Sequence, residues 1–280
     1  NRGDNEGCGY FQVNQRRGLR WSSSKAFLRP VLHRSNLTVM TNALAERLVL
    51  DGRRVTGLDF RQGEVLKRVS ARGEVVLAAG SVGSVQILEL SGIGRPEVLQ
   101  RHGIEVAQAL QGVGENLQDH LQMRMIFKVA NTVTLNQRAG SLLGKAGMGL
   151  EYLLFRRGPL SMAPSQLGAF TRSDPARATP NLQYHVQPLS LDKFGDPLHA
   201  FPAITASVCN LRPESRGAIH IRSADFREAP VIAPAYLSAP ADREVAARAI
   251  RLTRRICAAP ALARYRPEEF RPGAEVDGDE

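Results

Sequence analysis

The sequence predicts a mixed α/β and α+β protein: a parallel strand-to-helix unit joined to a lobe built on a mostly antiparallel sheet flanked by helices. Three observations carry this reading. Val75 to Ala79 is an uninterrupted apolar run that passes through Gly80-Ser81-Val82-Gly83-Ser84 into a helix reaching Leu90. A strand apolar on both faces and followed at once by a helix is the pattern of a buried parallel βα unit. Leu182, Tyr184 and Val186 alternate with Gln183, His185 and Gln187, and Ile219 and Ile221 repeat the alternation; a two-residue period belongs to strands with one apolar and one polar face. From Asp242 to Cys257, Val245, Ala249, Leu252 and Ile256 form an apolar stripe, with Arg248, Arg251 and Arg255 on a solvated face.

The remaining elements follow in chain order. Cys8 to Gln15 alternates around Tyr10 and Val13 as a strand does, and the serines Ser22-Ser23-Ser24 precede a short helix from Lys25 to Leu32, with Ser24 in the N-cap position. Leu37 to Met40 reads as a compact β run. Ala45 to Leu50, the turn Asp51-Gly52, and Val55 to Phe60 form a β-meander. The glycines after Ala79 let backbone N–H groups approach a ligand at a helix start, where an anion is favoured. From Met123 onward the pattern is that of the α+β lobe. Its last helix carries Asp242 and Glu244 at the positive end and is followed by Pro260.

With 280 residues, 43% of them hydrophobic, the chain can bury a substantial core. No apolar run approaches the ~18 residues of a membrane span, and the opening residues have neither a basic nor an apolar leader region. The chain begins without Met in a polar, Gly-rich stretch and ends in another from Pro272, so both edges are expected to be cuts in a longer protein. Three widely spaced cysteines, Cys8, Cys209 and Cys257, suit reduced thiols in a cytoplasmic protein better than a disulfide framework. The six histidines show no pair at helical ligand spacing, and no metal is expected. The net charge of +10 comes mainly from Arg scattered along the chain, often beside Asp or Glu. That distribution argues against a nucleic-acid partner.

Gly80-Ser81-Val82-Gly83-Ser84-Val85-Gln86-Ile87-Leu88-Glu89-Leu90-Ser91-Gly92-Ile93-Gly94 resembles the second diagnostic motif of the glucose-methanol-choline (GMC) oxidoreductases, with Val85 where Pro or Ser is usual. Further matches stand in family order: Cys8 to Gln12, Arg20 to Ser23 before Ala26 to Pro30, Asn36 to Val39, Gly112 to His120, and Arg212 to Gly217. Together they cover nearly the whole chain.

The resemblance implies an FAD-dependent enzyme that oxidises an alcohol to an aldehyde or ketone, passing hydride to the flavin and then to an unidentified electron acceptor. It implies a partial FAD-binding, Rossmann-like domain over residues 27–120 and a substrate-binding domain over 121–280, with residues 1–26 as a strand and connector of the substrate lobe. By family position, Ala45 meets the adenine, and Ala79, Gly80 and Ser81 lie beneath the dinucleotide. The family's opening Gly-x-Gly-x-x-Gly and its closing catalytic His are not in this sequence, and His120 belongs to a structural motif, so no catalytic residue is assigned. In choline-oxidising relatives a Glu precedes the segment matching Leu167-Gly168-Ala169-Phe170, and its carboxylate faces the trimethylammonium group; Gln166 stands there in this chain. A neutral amide lacks that Coulombic attraction, and the one Trp, Trp21, is far from the segment. The expected substrate is therefore an uncharged alcohol. A choline dehydrogenase and a non-catalytic binding or scaffold fragment are the alternatives. By itself the 280-residue chain is expected to retain no flavin and to turn over no alcohol. A cytoplasmic location, with peripheral membrane association left open, completes the expectation.

Overall fold

The computed structural model describes residues 4–273, 275, 276 and 278. Its principal elements in chain order are β1 (Gly7–Tyr10), β2 (Leu44–Asp51), β3 (Arg54–Gln62), β4 (Val65–Ser70), α1 (Gly80–Leu90), β5 (Gln122–Lys128), α2 (Leu142–Phe155), β6 (Leu167–Thr171), β7 (Leu182–Gln187), β8 (Ala203–Asn210), β9 (Ala218–His220), β10 (Val231–Ala233), α3 (Pro240–Cys257) and β11 (Glu268–Arg271). The chain divides into two compact units. One comprises Asn1–His33, His120–Glu214 and Pro240–Glu280; the other comprises Arg34–Asp119 and Ser215–Ala239.

The first unit is built on a six-stranded antiparallel sheet of order β1-β6-β7-β8-β5-β11. Alternation sends Leu182 and Tyr184 of β7 and Val208 of β8 to one face, where they pack with Val245 and Ala249 of α3; Met123, Ala169 and Leu252 border this core. Met125 and Phe127 of β5 continue it against Cys257 at the end of the helix. A single polar contact crosses the core: the Thr253 hydroxyl donates to the Ala249 carbonyl and so is left to accept from Tyr184 Oη at 2.9 Å. Burial pushes the Tyr184 phenol up to about 12. At the start of α3 the buried Asp242 accepts from Asn210 Nδ2 (3.2 Å) and Glu214 N (2.9 Å), placing a carboxylate at the positive end of the helix.

The second unit holds the meander β2-β3-β4. Leu48 of β2 packs against Ile87 of α1 and Ile93, with Ala45, Val75 and Leu77 around them. Ser91, just past α1, accepts from Leu48 N at 2.8 Å and donates to Ile87 O, which ties the strand to the helix end. The hairpin β9-β10 belongs to this unit.

Several sequence expectations change. Residues 215–239 leave the lobe that had been assigned residues 121–280, because Ile219 N donates to Gly114 O (2.7 Å), Leu117 and Gly217 pair by backbone, and Gln86 reaches the carbonyls of Phe226 and Glu228. Ile219 and Ile221 are thus buried in the second unit and do not extend the antiparallel sheet. The contact boundary falls at His33/Arg34, not at residue 26. Val75 to Ala79 is in no ladder: Val75 and Leu77 pack on the Leu48 cluster while Val76 is 79% exposed, since no strand among the described residues pairs with it. Leu37 to Met40 is likewise unpaired, with Val39 and Met40 exposed. Ser24 lies inside a turn of π-helix over Ser24–Leu28 and caps nothing; Ser22 Oγ is the hydroxyl facing Lys25 N, at 3.5 Å. On α3 the buried stripe is Asp242, Val245, Ala249, Thr253 and Cys257, and Ile256 is 42% exposed. The 3.6-residue period admits either neighbour at each turn, and the Tyr184 hydroxyl selects Thr253. Arg248 ion-pairs with Asp174 and Glu244.

Replacing the fully buried Leu182 with Ala should cost about 2–5 kcal/mol, while Leu143→Ala, at 88% exposure on α2, should stay within about 0.5 kcal/mol. Urea denaturation of both variants checks this; equal losses would contradict the core assignment.

Candidate functional site

Each unit offers a site built from residues singled out in the sequence. In the second unit, Ala79 precedes α1 without a side-chain cap, and Gly80 opens the helix at φ +78°. The first-turn N–H groups of α1 therefore lack a capping side chain. This turn faces the loop from Leu110 to Gln118 across a cavity of about 840 Å³, lined on the helix side by Gly80, Ser81, Ser84, Val85 and Leu88. Side chains added at Gly80 or Gly112 would meet nothing within 4 Å, so both glycines leave room for a ligand to approach the backbone.

The far wall is held by charge. Glu89 of α1, 0% exposed, accepts from Ile221 N (2.8 Å) and lies 2.7 Å from Nδ1 of His220. The other ring nitrogen of His220 is 3.2 Å from Glu115, which also takes Nη1 of Arg95 at 2.6 Å. The Arg95 guanidinium holds the Glu115 carboxyl below the usual carboxylate range, against the opposing effect of burial and with help from His220. Gly114 sits between these groups at φ +81°, and a Cβ there would stand 2.2 Å from Ile219 O and 2.7 Å from the His220 ring.

Of the four residues expected at a cofactor, Gly80 and Ser81 line this cavity and Ala79 adjoins it, while Ala45 does not: it lies on β2 opposite Phe60, at the edge of the Leu48 cluster. The Glu89–His220–Glu115–Arg95 chain was missed by sequence reasoning. Its members are far apart in sequence, and only the burial of an acid inside the apolar stretch Ile87–Leu90 could have signalled it.

In the first unit, Gln166 extends β6 by one residue: its N–H donates to Val186 O (3.2 Å) and its carbonyl accepts from Phe11 N (2.9 Å). Ala169 packs into the core, as strand alternation requires, and Gly168 pairs with His185 on the opposite face. Phe11 occupies the space over Gly168, where a Cβ would lie 2.4 Å from the ring, and stacks on His185 at 4.9 Å. Burial, with a smaller effect of His120, lowers the pKa of His185. Gln166 lines a cavity of about 210 Å³ together with Leu135, Met148, Leu160, Met162 and Leu189. Apart from Gln166 that lining is apolar. It contains no Asp, Glu, Phe, Tyr or Trp.

One unit holds a glycine-opened helix beside a cleft, and the other an antiparallel sheet backed by a helix. Residues 1–122 and 213–280 match models of the GMC oxidoreductases, and the chain belongs to that family, whose cofactor is FAD. It is 37% identical over 278 residues to the alcohol dehydrogenase [acceptor] of Pseudomonas putida, covering 98% of this chain and 50% of the relative. It is 38% identical over 275 residues to the oxygen-dependent choline dehydrogenase of Photobacterium profundum, covering 98% of this chain and 48% of that relative. The fold is shared with an FAD-dependent oxidoreductase from Chaetomium thermophilum at TM-score 0.85 and 22% identity, over 99% of this chain and 55% of that one. The chain spans about half the length of the curated relatives it matches. Among the described residues no helix is long and apolar enough to cross a membrane, and no cluster of His, Cys, Asp and Glu could hold a metal ion.

Gly80→Ala should destabilise by about 1–2 kcal/mol through its left-handed backbone alone. Gly114→Ala should cost distinctly more, because strain and collision with the Ile219 carbonyl add. Thermal unfolding of the two variants gives the comparison, and the reverse order would contradict the described cleft wall.

Proposed function

We propose that this chain is part of an FAD-dependent enzyme that oxidises an alcohol to an aldehyde or ketone and prefers an uncharged alcohol to choline. The observation that carries the preference is the cavity beside Gln166, whose lining offers neither a carboxylate nor an aromatic ring. A quaternary ammonium stripped of water needs one or the other.

Oxidation removes a hydride from the carbinol carbon and a proton from the hydroxyl, leaving a carbonyl. FAD, when bound, supplies the hydride acceptor. The residues that fit it here are Ala79, Gly80 and Ser81: the uncapped start of α1 and the open space over Gly80 suit a diphosphate against backbone N–H groups. Ala45 is proposed at the adenine end by family position. Gln166 is the substrate contact: its amide can hydrogen-bond an alcohol, and Leu160, Met162 and Leu189 exclude water from the alkyl chain. No catalytic base is assigned within the chain. The electron acceptor is a separate molecule of unassigned kind, and a cytoplasmic location is proposed from the cysteine usage.

In the full-length protein, Gln166→Glu should raise the ratio of kcat/KM for choline to that for a neutral alcohol by about tenfold or more, the equivalent of ~1.4 kcal/mol of added attraction. Steady-state kinetics on both variants test it. A wild-type preference for choline would overturn the substrate reading.

A further inference from the structure

Helix α2 turns its apolar side outward. On a 3.6-residue period Leu142, Ala146, Leu150 and Leu153 form one row, and Leu143, Gly147, Leu150 and Leu154 the next. Every leucine in both rows is more than half exposed. The opposite side carries Met148, which is buried, with Gly144 and Tyr152 half-buried beside it. The principal packing partners of α2 are the short helices next to it in sequence, Leu135–Gly140 and Pro159–Ser161. A surface helix that serves only its own core turns such a stripe inward. A contiguous apolar face left outside marks a partner or a membrane.

The charges beside this face match an anionic lipid surface. Glu151, the only carboxylate on α2, is held between Arg138 (3.6 Å) and Arg157 (3.4 Å). Lys145, Tyr152 and Arg156 follow the flank next to the Leu142–Leu153 row, and the Arg156 guanidinium stands 5.1 Å from the Tyr152 ring centroid. Among the described residues neither cation of that flank has an ion-pair partner. Asp196, across the cavity that Lys145 lines, accepts from Lys193 N. Leucines bordered by long basic side chains suit the headgroup boundary: acyl chains take the apolar face, and the Lys and Arg stems reach phosphates. The 14 residues of α2 extend about 21 Å, short of the roughly 20 residues that cross a bilayer, so the helix can lie along a membrane and cannot span it.

The same apolar surface runs into the cavity beside Gln166. Met148 on the inner side of α2 lines that cavity, as do the exposed Leu160 and Met162 beyond the helix end. A bilayer against α2 can feed the cavity with lipid-dissolved alcohol, which a protein partner cannot. The cavity is a substrate site only on the alcohol-oxidising reading; the outward leucines and their cations are independent of it.

We propose that α2 docks this protein on an anionic lipid bilayer, with Leu142, Leu143, Leu150, Leu153 and Leu154 at the acyl boundary and Lys145 and Arg156 at the headgroups.

The test floats the full-length, flavin-loaded enzyme with phosphatidylcholine vesicles made with and without roughly one third phosphatidylglycerol. The wild type should bind the anionic vesicles about tenfold or more tighter than the zwitterionic ones, and the gap should shrink as salt rises. Leu150→Gln with Leu154→Gln should lose binding to both, and Lys145→Glu with Arg156→Glu should lose the anionic preference. Both double variants should unfold within about 3 °C of the wild type, because they alter exposed side chains. A steep fall for the leucine variant means that α2 is packed inside the full-length protein, and it overturns the proposal. So does a wild type that stays off anionic vesicles, or binding to them that either variant leaves unchanged. A dimer that the leucine variant turns into monomers assigns the face to a second copy and overturns it too. Octanol oxidation, measured on the same preparations, separates the two readings. Vesicle binding that depends on α2 with octanol left unoxidised supports docking and sinks the alcohol reading; oxidation without vesicle binding does the reverse.

Discussion

The register of the antiparallel sheet is the constraint on which the first unit of this protein depends. Because strand side chains alternate, a shift of one residue anywhere in β5, β6, β7 or β8 would exchange the faces. The apolar face fixes the register: Leu182, Tyr184 and Val208 pack against Val245 and Ala249 of α3, and Tyr184 hydrogen-bonds Thr253. The polar face follows from that register and carries contacts of its own: Thr205 donates to the Leu189 carbonyl, Gln187 Nε2 donates to Ser165 Oγ, and Phe11 stacks on His185. Gln166, His185, Ser207 and Arg124 stand where they do because their neighbours in sequence are buried on the other side.

The second unit is organised differently, around one buried carboxylate. Glu89 sits on an apolar helix and fastens the hairpin β9-β10 to it through Ile221 N and His220. That attachment brings a segment distant in sequence onto the loop 110–118, and Glu115 with Arg95 completes the brace. The loop can thereby stand open to the start of α1 without collapsing onto it.

Local patterns were legible in the sequence wherever one physical effect decided the outcome. The meander around Asp51-Gly52, the helix after Gly80, the alternation at Leu182 and the helix ending at Cys257 all follow from periodicity and turn chemistry, and all are present. The failures come from interactions at a distance. Val75 to Ala79 has the composition of a two-face-buried strand, but composition does not supply the neighbours a ladder needs. Ile219 alternates like a sheet strand, yet Glu89 and Gly114 decide which unit it joins. On α3 the hydrophobic residue Ile256 yields its inward place to Cys257, because Thr253 was chosen by a tyrosine some seventy residues earlier. Of the site residues, Gln166, Gly80 and Ser81 were visible through a motif.

A crystal structure of the full-length protein with a bound substrate analogue tests the central claim, that the cavity beside Gln166 receives the substrate, most directly. The account predicts ligand density in the cavity lined by Gln166, Leu160, Met162 and Leu189, with the ligand hydroxyl at the Gln166 amide. Density confined to another surface, with that cavity filled by protein side chains, would contradict it.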